Sequence, residues 1–435
     1  MTTKTNAAAG AKTNMVTQAV GLFATHMNRN STLNLLSGKM PAGEAGAEAT
    51  LRKQTTQHLP IVRVQDLGKG RGDEVTFHLL NPTGGYPIMG SAYAEGRGVG
   101  MSLSEDKLRV NQARFPIDLG NVMSQIRSPA DMRKLGRPVA QSQMDAYCDQ
   151  SLLVHMAGAR GFHDNIEWRI PTTHHKNHAE IMVNRVKAPT KNRHFIVDGS
   201  GISSFGVNSG EVKIASTDLF TMDTVDSMKT RLDEMPLPPP IVKFEGDVAA
   251  EDSPLRVWLV SPAQYNKFAA QPGFRAFQGA AMARSSQAKQ HPICLGDVGL
   301  WNGFIIRKMP RPIRFYAGDE IKYCADYASE TESSVIVPPS FGEQFAVDRS
   351  IILGGQAIAE ALASSEHSGV PFFWSEKELD HGDKWELLIG AIRGVSKIRF
   401  DINTGERQEF TDYGVTVVDT AVPIIGRDPK FNDLT

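Results

Sequence analysis

The chain has 435 residues, of which 41% are hydrophobic, 22% charged and 8% aromatic, enough to bury a sizeable core in one elaborate domain or two to three smaller ones, the former being favoured. Lys+Arg 47 against Asp+Glu 48 leave a net charge of -1, which excludes a protein that grips nucleic acid or an acidic membrane by bulk charge. Cys148, Cys294 and Cys324 form no CxxC pair, so neither a disulfide framework nor a cysteine zinc site is expected and the compartment reads as reducing. The first 14 residues lack the apolar core of a signal peptide, and no run approaches the roughly 18 apolar residues that cross a bilayer.

Residues 1 to 14 are small and polar and read as an arm. Val16, Val20, Leu22, Phe23, Met27, Leu33, Leu35 and Leu36 lie near helical spacing, with Gly38 and Pro41 as a stop. A β-branched run at Ile61 to Val64 predicts a strand. Residues 73 to 80 alternate, Asn81 to Gly85 turn, and Lys107 to Ile117 alternate again, which predicts a long hairpin with a glycine-rich tip (Gly84, Gly85, Gly90, Gly96, Gly98, Gly100). Its apolar content is too thin for a self-sufficient core, so it is expected to lean on a neighbouring subunit.

Residues 122 to 158 predict the longest helix, with Pro138 kinking or interrupting it near Gly136. Residues 162 to 215 are polar and turn-rich, with a strand at Arg193 to Val197. A helix is expected from about Ser216 to Met235, opened by Ser216, Thr217 or Asp218. The run Pro236-Leu237-Pro238-Pro239-Pro240 marks a boundary. Beyond it the reading is α+β: strands at Arg256 to Val260, Gly303 to Ile306 and Ser334 to Val337, a short helix after Ser261-Pro262, a helix over Gln356 to Ala363, then strands at Trp385 to Gly390, Ser396 to Asp401 and Gly414 to Val418. No internal repeat is present.

Local chemistry is sparse. His163, His174, His175 and His178 are the one cluster of ligand-type residues, yet without HExxH and beside Pro171-Thr172-Thr173 they read as a polar loop rather than a metal site. Gly96 to Gly100 lacks the strand and helix a dinucleotide fingerprint needs, and Gly68 to Asp73 lacks the Lys-Ser/Thr of a P-loop. Asp198-Gly199-Ser200-Gly201 and Asp380-His381-Gly382-Asp383 are turn formers before they are acids and bases. Arg393, Lys397, Arg399 and Arg307, Lys308, Arg311, Arg314 have the charge to meet phosphates but fit solvated or ion-paired faces equally well.

Several segments in fixed order carry a resemblance. Ile61-Val62 through Asp66-Leu67-Gly68-Lys69-Gly70-Arg71-Gly72-Asp73-Glu74-Val75-Thr76-Phe77 is similar to an extended-loop entry, Ser124-Gln125-Ile126-Arg127 with Asp131 and Arg133 to a spine-helix start, and Trp301-Asn302-Gly303-Phe304-Ile305-Ile306 to an axial-domain strand. Leu353-Gly354-Gly355-Gln356-Ala357 is similar to a helix start, and Gly394 to Lys397 with Asp412 to Ala421 to closing strands. Over residues 15 to 425 the chain thus resembles the major capsid proteins of tailed bacteriophages, in the subgroup typified by coliphage N-four.

The resemblance implies an α+β Johnson (Hong-Kong-97-type) capsid fold: N-terminal arm 1–60, extended β-hairpin loop 61–121, peripheral domain 122–235 with a spine helix and a polar insertion at 162–215, axial domain 236–393, closing peripheral strands 394–425 and tail 426–435. It implies a virion structural protein, assembled in the bacterial host cytoplasm as hexamers and pentamers of an icosahedral head around double-stranded DNA. Portal and scaffolding proteins, and a possible decoration protein, are the expected partners; no membrane, cofactor, metal or catalytic residue is implied. Arg71, Asp73, Phe77, Tyr86, Glu95, Arg97, Arg109 and Arg114 are the expected intersubunit contacts. The alternative is a hydrolase with a catalytic set assembled from distant residues, and a nucleic-acid-binding module ranks last.

Overall fold

The computed structural model describes residues 36, 58–67, 74–80, 87–90, 93–98, 103–123, 132–199, 201–243, 255–275, 299–363, 371–403 and 408–424. In chain order the first strands are β1 (Ile61–Leu67), β2 (Glu74–Leu80), β3 (Leu103–Arg109) and β4 (Asn111–Asn121), followed by helix α1 (Met132–Ala157) and the single turn α2 (His178–Ile181). Next come β5 (His194–Asp198), β6 (Gly201–Ser204), β7 (Val207–Asn208), β8 (Glu211–Val212), α3 (Met222–Glu234), β9 (Arg256–Val260) and α4 (Pro262–Ala269). The remaining strands are β10 (Gly299–Trp301), β11 (Phe304–Lys308), β12 (Ile313–Tyr316), β13 (Glu320–Cys324), β14 (Glu332–Ile336), β15 (Phe345–Leu353), β16 (Ile358–Ala363), β17 (Phe372–Leu379), β18 (Lys384–Lys397), β19 (Arg399–Asn403), β20 (Gln408–Asp412) and β21 (Val415–Pro423).

Among the described residues the largest sheet runs β10-β11-β9-β15-β21-β5-β6, with β12 pairing on β15. Its strand β9 is buried along its whole length. In β9, Val257 and Leu259 enter one core while Trp258 and Val260 enter the other; in β15, Ile351 and Leu353 face the first and Ile352 the second. The two-residue period of a strand makes that division, and a sheet covered on both sides requires a continuous apolar run rather than an alternating one. The first core also takes in Leu152, Val154 and Met156 of α1, and Leu36. The second is closed by Val225, Met228 and Leu232 of α3 and Phe268 of α4. Helix α4 begins where expected, with Ser261 and Gln264 forming a reciprocal cap.

A second sheet is built on β18. Residues 384–391 pair with β17 and 384–393 with β4, so these two lie on opposite edges; β16 takes residues 393–397 on the β17 side, and β1 adds to β16 in parallel. The C-terminal stretch that resembles closing strands is thereby divided: β21 enters the large sheet, and the end of β18 enters this one.

Four expectations are corrected. Residues 358–363 are a strand, not part of a helix: Ile358 to Ala363 are all buried between β1 and β18, and pairing on both edges overrides the helical preference of Ala and Glu. Trp385–Gly390 is not a separate strand, because β18 runs unbroken to Lys397 through Gly390 and Gly394, and Ser396–Asp401 is divided between the end of β18 and the separate strand β19. A Cβ on Gly390 would lie 2.2 Å from the Phe373 ring, so this glycine serves close packing, not a turn. Helix α3 opens at cap Thr221, not at Ser216 to Asp218; Asp218 instead accepts the N–H groups of Gly199 and Ala215 and ties two loops together. Helix α1 is continuous across Pro138. Gly136 admits Leu119 so closely that a Cβ would lie 2.2 Å from its Cδ2. Ala140 and Met144 pack with Trp374 and Leu387, and this packing holds the helix despite the missing N–H.

Candidate assembly interface

Strands β2 and β3 form a two-stranded ladder of their own, from Glu74 opposite Arg109 to Leu80 opposite Leu103. Glu74 and Arg109 pair across it at 2.7 Å, both exposed, and the hydrogen bond from Arg109 holds the Glu74 carboxyl below its ordinary range. The ladder touches the body at its base. Asp106 pairs with Lys187 at 2.8 Å, Asn184 bonds the Arg109 backbone, and the Arg109 carbonyl lies where a Cβ on Gly394 would approach to 2.0 Å. From Asn111 the chain is laid along β18 as β4.

The far end is the opposite case. Residues 87–90 and 93–98 are exposed throughout, with Met89 at 77% and Tyr93 at 85% of full exposure. Gly90 and Gly96 adopt φ of +65° and +79° with open space around them, and the Arg97 N–H donates to Ala94 O in a turn. Met89 and Tyr93 therefore present their apolar side chains to solvent.

Of the expected contact residues, Glu95 and Arg97 lie in this exposed tip, and Arg114 is exposed on β4 opposite Gly390. Arg109 is engaged within its own chain by Glu74. Phe77 lies on β2 opposite Asp106. Arg71, Asp73 and Tyr86 lie outside the described residues. Asn184, Lys187 and Gly394, which fix the base, were missed; no local motif announces them, because their partners are far away in sequence.

Of the basic residues that had the charge to meet phosphates, Arg314, Arg393, Lys397 and Arg399 are buried in ion pairs, whereas Arg307, Lys308 and Arg311 stay half-buried. Arg393 pairs with Glu360 at 2.8 Å, Lys397 and Arg399 with Asp412 at 2.8 Å each, and Arg314 with Asp348 at 2.6 Å; Arg311 pairs with Glu167. The large sheet buries a further set in which Arg349 grips both oxygens of Asp419 at 2.8 and 2.9 Å while His194 Nε2 lies 2.7 Å from Asp419 Oδ2. Burial pulls His194 down to about 4, and Arg349 and His194 keep the Asp419 carboxyl far below its ordinary range.

The histidine group is dispersed. His163 Nδ1 accepts from Trp168 Nε1 at 3.3 Å, His174 packs on Phe162, and His178 starts α2; among the described residues no cluster of metal-ligand type forms. Asp198 to Gly201 is the β5–β6 hairpin turn, and Asp380 to Asp383 is the turn between β17 and β18.

The fold as a whole is similar to those of solved phage capsids. The chain is 21% identical to a structure described as the capsid of Ralstonia phage GP4, with a TM-score of 0.62 over 93% of this chain and 100% of that one. The cyanophage Pam1 capsid matches at 14% identity and 0.59 over 91% and 98%, and the acid-stable capsid of Helicobacter pylori bacteriophage KHP30 at 12% and 0.53 over 90% and 98%. The fold is therefore the Hong-Kong-97 type, that of viral shell subunits. A sequence model described as phage capsid protein matches residues 6–424, and the chain belongs to that family; it is a virion structural protein. No curated protein matches the sequence.

Proposed function

We propose that this chain is the major capsid protein of a tailed double-stranded DNA phage, tiling the head as hexamers and pentamers. The observation that carries the reading is the hairpin fixed at its base and bare at its tip. Met89 and Tyr93 gain nothing from their own chain, and burying them on a neighbouring copy contributes on the order of 25 cal/mol per Å² of apolar surface. Summed over a closed shell, interfaces on the order of 2,000 to 5,000 Å² per contact set give stability while each contact stays reversible during assembly. Near-neutral charge suits a wall around DNA, since a strongly cationic inner face would hold the genome against release.

On this reading residues 1–60 are the arm, 61–121 the extended loop, 122–235 with 394–425 the peripheral domain, 236–393 the axial domain and α1 the spine helix. Within 162–215, Trp168, Ile170, Met182 and strand β5 belong to the buried body, so the exposed parts of this insertion are the place for a decoration protein, and portal and scaffolding proteins join during assembly in the host cytoplasm. Glu95, Arg97 and Arg114 contact adjacent subunits, together with Arg71, Asp73, Phe77, Tyr86 and Arg109. The subgroup typified by coliphage N-four is part of the same proposal. The hydrolase alternative has no observation in its favour.

Electron microscopy of the chain expressed alone tests the reading: shells, tubes or capsomer rings are expected. A protein that stays monomeric at high concentration, with residues 87–98 resistant to protease, would overturn it.

A further inference from the structure

Strands β5 and β6 lie at one edge of the large sheet, and β5 joins β21 over three residue pairs, of which His194 opposite Val417 is the first. The His194 side chain is 1% exposed. Its Nε2 lies 2.7 Å from Asp419 Oδ2, so the ring proton sits on Nε2 and is donated to that carboxylate. Arg349 Nη2, 3.1 Å from the same ring nitrogen, donates instead to Asp419 Oδ2 at 2.9 Å. Phe205 stacks on the ring with centroids 3.9 Å apart, and its N–H donates to the His194 carbonyl at 2.9 Å. The remaining basic atom of the ring, Nδ1, is buried and meets no hydrogen-bond partner among the described residues.

The charged groups around the ring are already committed to one another. Asp419 of β21 is held through both oxygens by Arg349 of β15, whose Nη1 also donates to the Ala157 carbonyl at the end of α1 at 3.2 Å. Lys397, at the end of β18, pairs with Asp412 of β20, and Arg399 of β19 shares that carboxylate. Arg193, the preceding residue, turns to the carbonyls of Asp412 and Leu237, and Tyr323 of β13 lies behind Phe205. A second proton on His194 therefore enters at Nδ1, where the new N–H finds no acceptor, and it adds a positive charge facing Arg349 and Lys397. When the β5 edge parts from β21, the ring meets water and takes the proton without that cost.

We propose that His194 is an acid-operated latch on the edge of the large sheet: a proton on its ring opens the β5–β6 pair from β21 while β9, β15 and β21 stay paired. Above pH 6.5 the ring is neutral whether the edge is open or closed, and the latch holds. Below that the open edge takes up the proton and the closed edge does not, until the closed-state value of about 4 is reached. The opened fraction therefore rises about thirtyfold between pH 7.5 and pH 5.0. The chain runs from β6 into β7 and β8, which pair with β14 and β13, so the latch is one tie between that four-stranded sheet and the large one.

The test is hydrogen–deuterium exchange of the full-length chain, followed segment by segment at the two pH values and corrected for the intrinsic pH dependence of exchange. Residues 194–204 are expected to lose protection about thirtyfold at pH 5.0 while residues 256–260 and 345–353 keep theirs. His194→Gln keeps a donor for Asp419 but takes up no proton, and it is expected to remove the pH difference. Equal protection of residues 194–204 at both pH values, or an acid loss spread evenly over the three segments, would overturn the proposal on the unaltered chain alone, even if His194→Gln does not fold. An acid loss that persists in a folded His194→Gln would do the same.

Discussion

The side-chain amide of Asn184 clamps the backbone of Arg109 from both sides: the Arg109 N–H donates to Oδ1 at 2.9 Å, and Nδ2 donates to the Arg109 carbonyl at 2.8 Å. The clamp sits where β3 ends and β4 begins, so it fixes the angle at which the hairpin leaves the body. Asn184→Ala removes two exposed hydrogen bonds, at a net cost of about 1–2 kcal/mol. The expected result is faster tryptic cleavage within residues 87–109 with the main unfolding transition little moved. Cleavage at the unaltered rate would show that the clamp does not hold the hairpin.

Gly394 faces the same junction from β18. An alanine there would bring its Cβ to 2.0 Å from Arg109 O, a backbone atom that cannot swing aside as a side chain can. Gly394→Ala is expected to lower stability by about 1–3 kcal/mol, and Gly98→Ala, at an open position in the tip, by far less. A urea midpoint for each variant, compared with the unaltered chain, checks the contrast.

Acid should weaken the protein well before carboxylates elsewhere titrate. His194 and His155 are buried neutral, with ionisation depressed from 6.5 to about 4 and about 3. Below pH 6.5 the unfolded chain takes up these protons and the folded one does not. Stability therefore falls with pH by about 1.4 kcal/mol per unit for each histidine until the folded values are reached. Asp412, held at about 2 by Arg399 and Lys397 against burial, contributes stability above its ordinary 3.8 that is lost below it. Urea midpoints at pH 7.0, 5.5 and 4.5 should decline steadily; a flat profile across them would contradict the buried, neutral assignment.

Exchanging tip residues should separate assembly from folding. Met89→Ser with Tyr93→Ser touches side chains that are 77% and 85% exposed, so the unfolding midpoint of the unassembled chain is expected to stay within about 0.5 kcal/mol of the original. Shell formation, followed by light scattering, should drop sharply. Normal shells from the double variant would remove the tip from the interface.

Much of this architecture could be read from the chain itself where signals are local. Ser261-Pro262 gave the start of α4 and the β-branched run at 61–64 gave β1, because each depends on neighbours within a few residues; alternation placed β2, but its expected partner at 107–117 is divided, since Leu103–Arg109 pairs with β2 and Asn111–Asn121 with β18. The errors fall where distant partners decide. Ile358 to Ala363 is rich in alanine and becomes a strand because β1 and β18 flank it. Gly390 and Gly394 lie inside β18, where they serve close approach to Phe373 and to the Arg109 backbone. The inward turn of Arg314, Arg393, Lys397 and Arg399 depends on carboxylates brought in by other strands, and composition alone does not say which face a cation will take. The base of the hairpin was hidden for the same reason: Lys187 and Asp106 are 81 residues apart.

Strand β21 lies between β15 and β5 in the large sheet, and it is the last described strand to leave the ribosome. Until it emerges, the nascent polypeptide holds a slot with two bare strand edges and an Arg349 lacking Asp419. Truncated products would therefore carry an open centre and become substrates for quality control instead of poisoning a growing lattice.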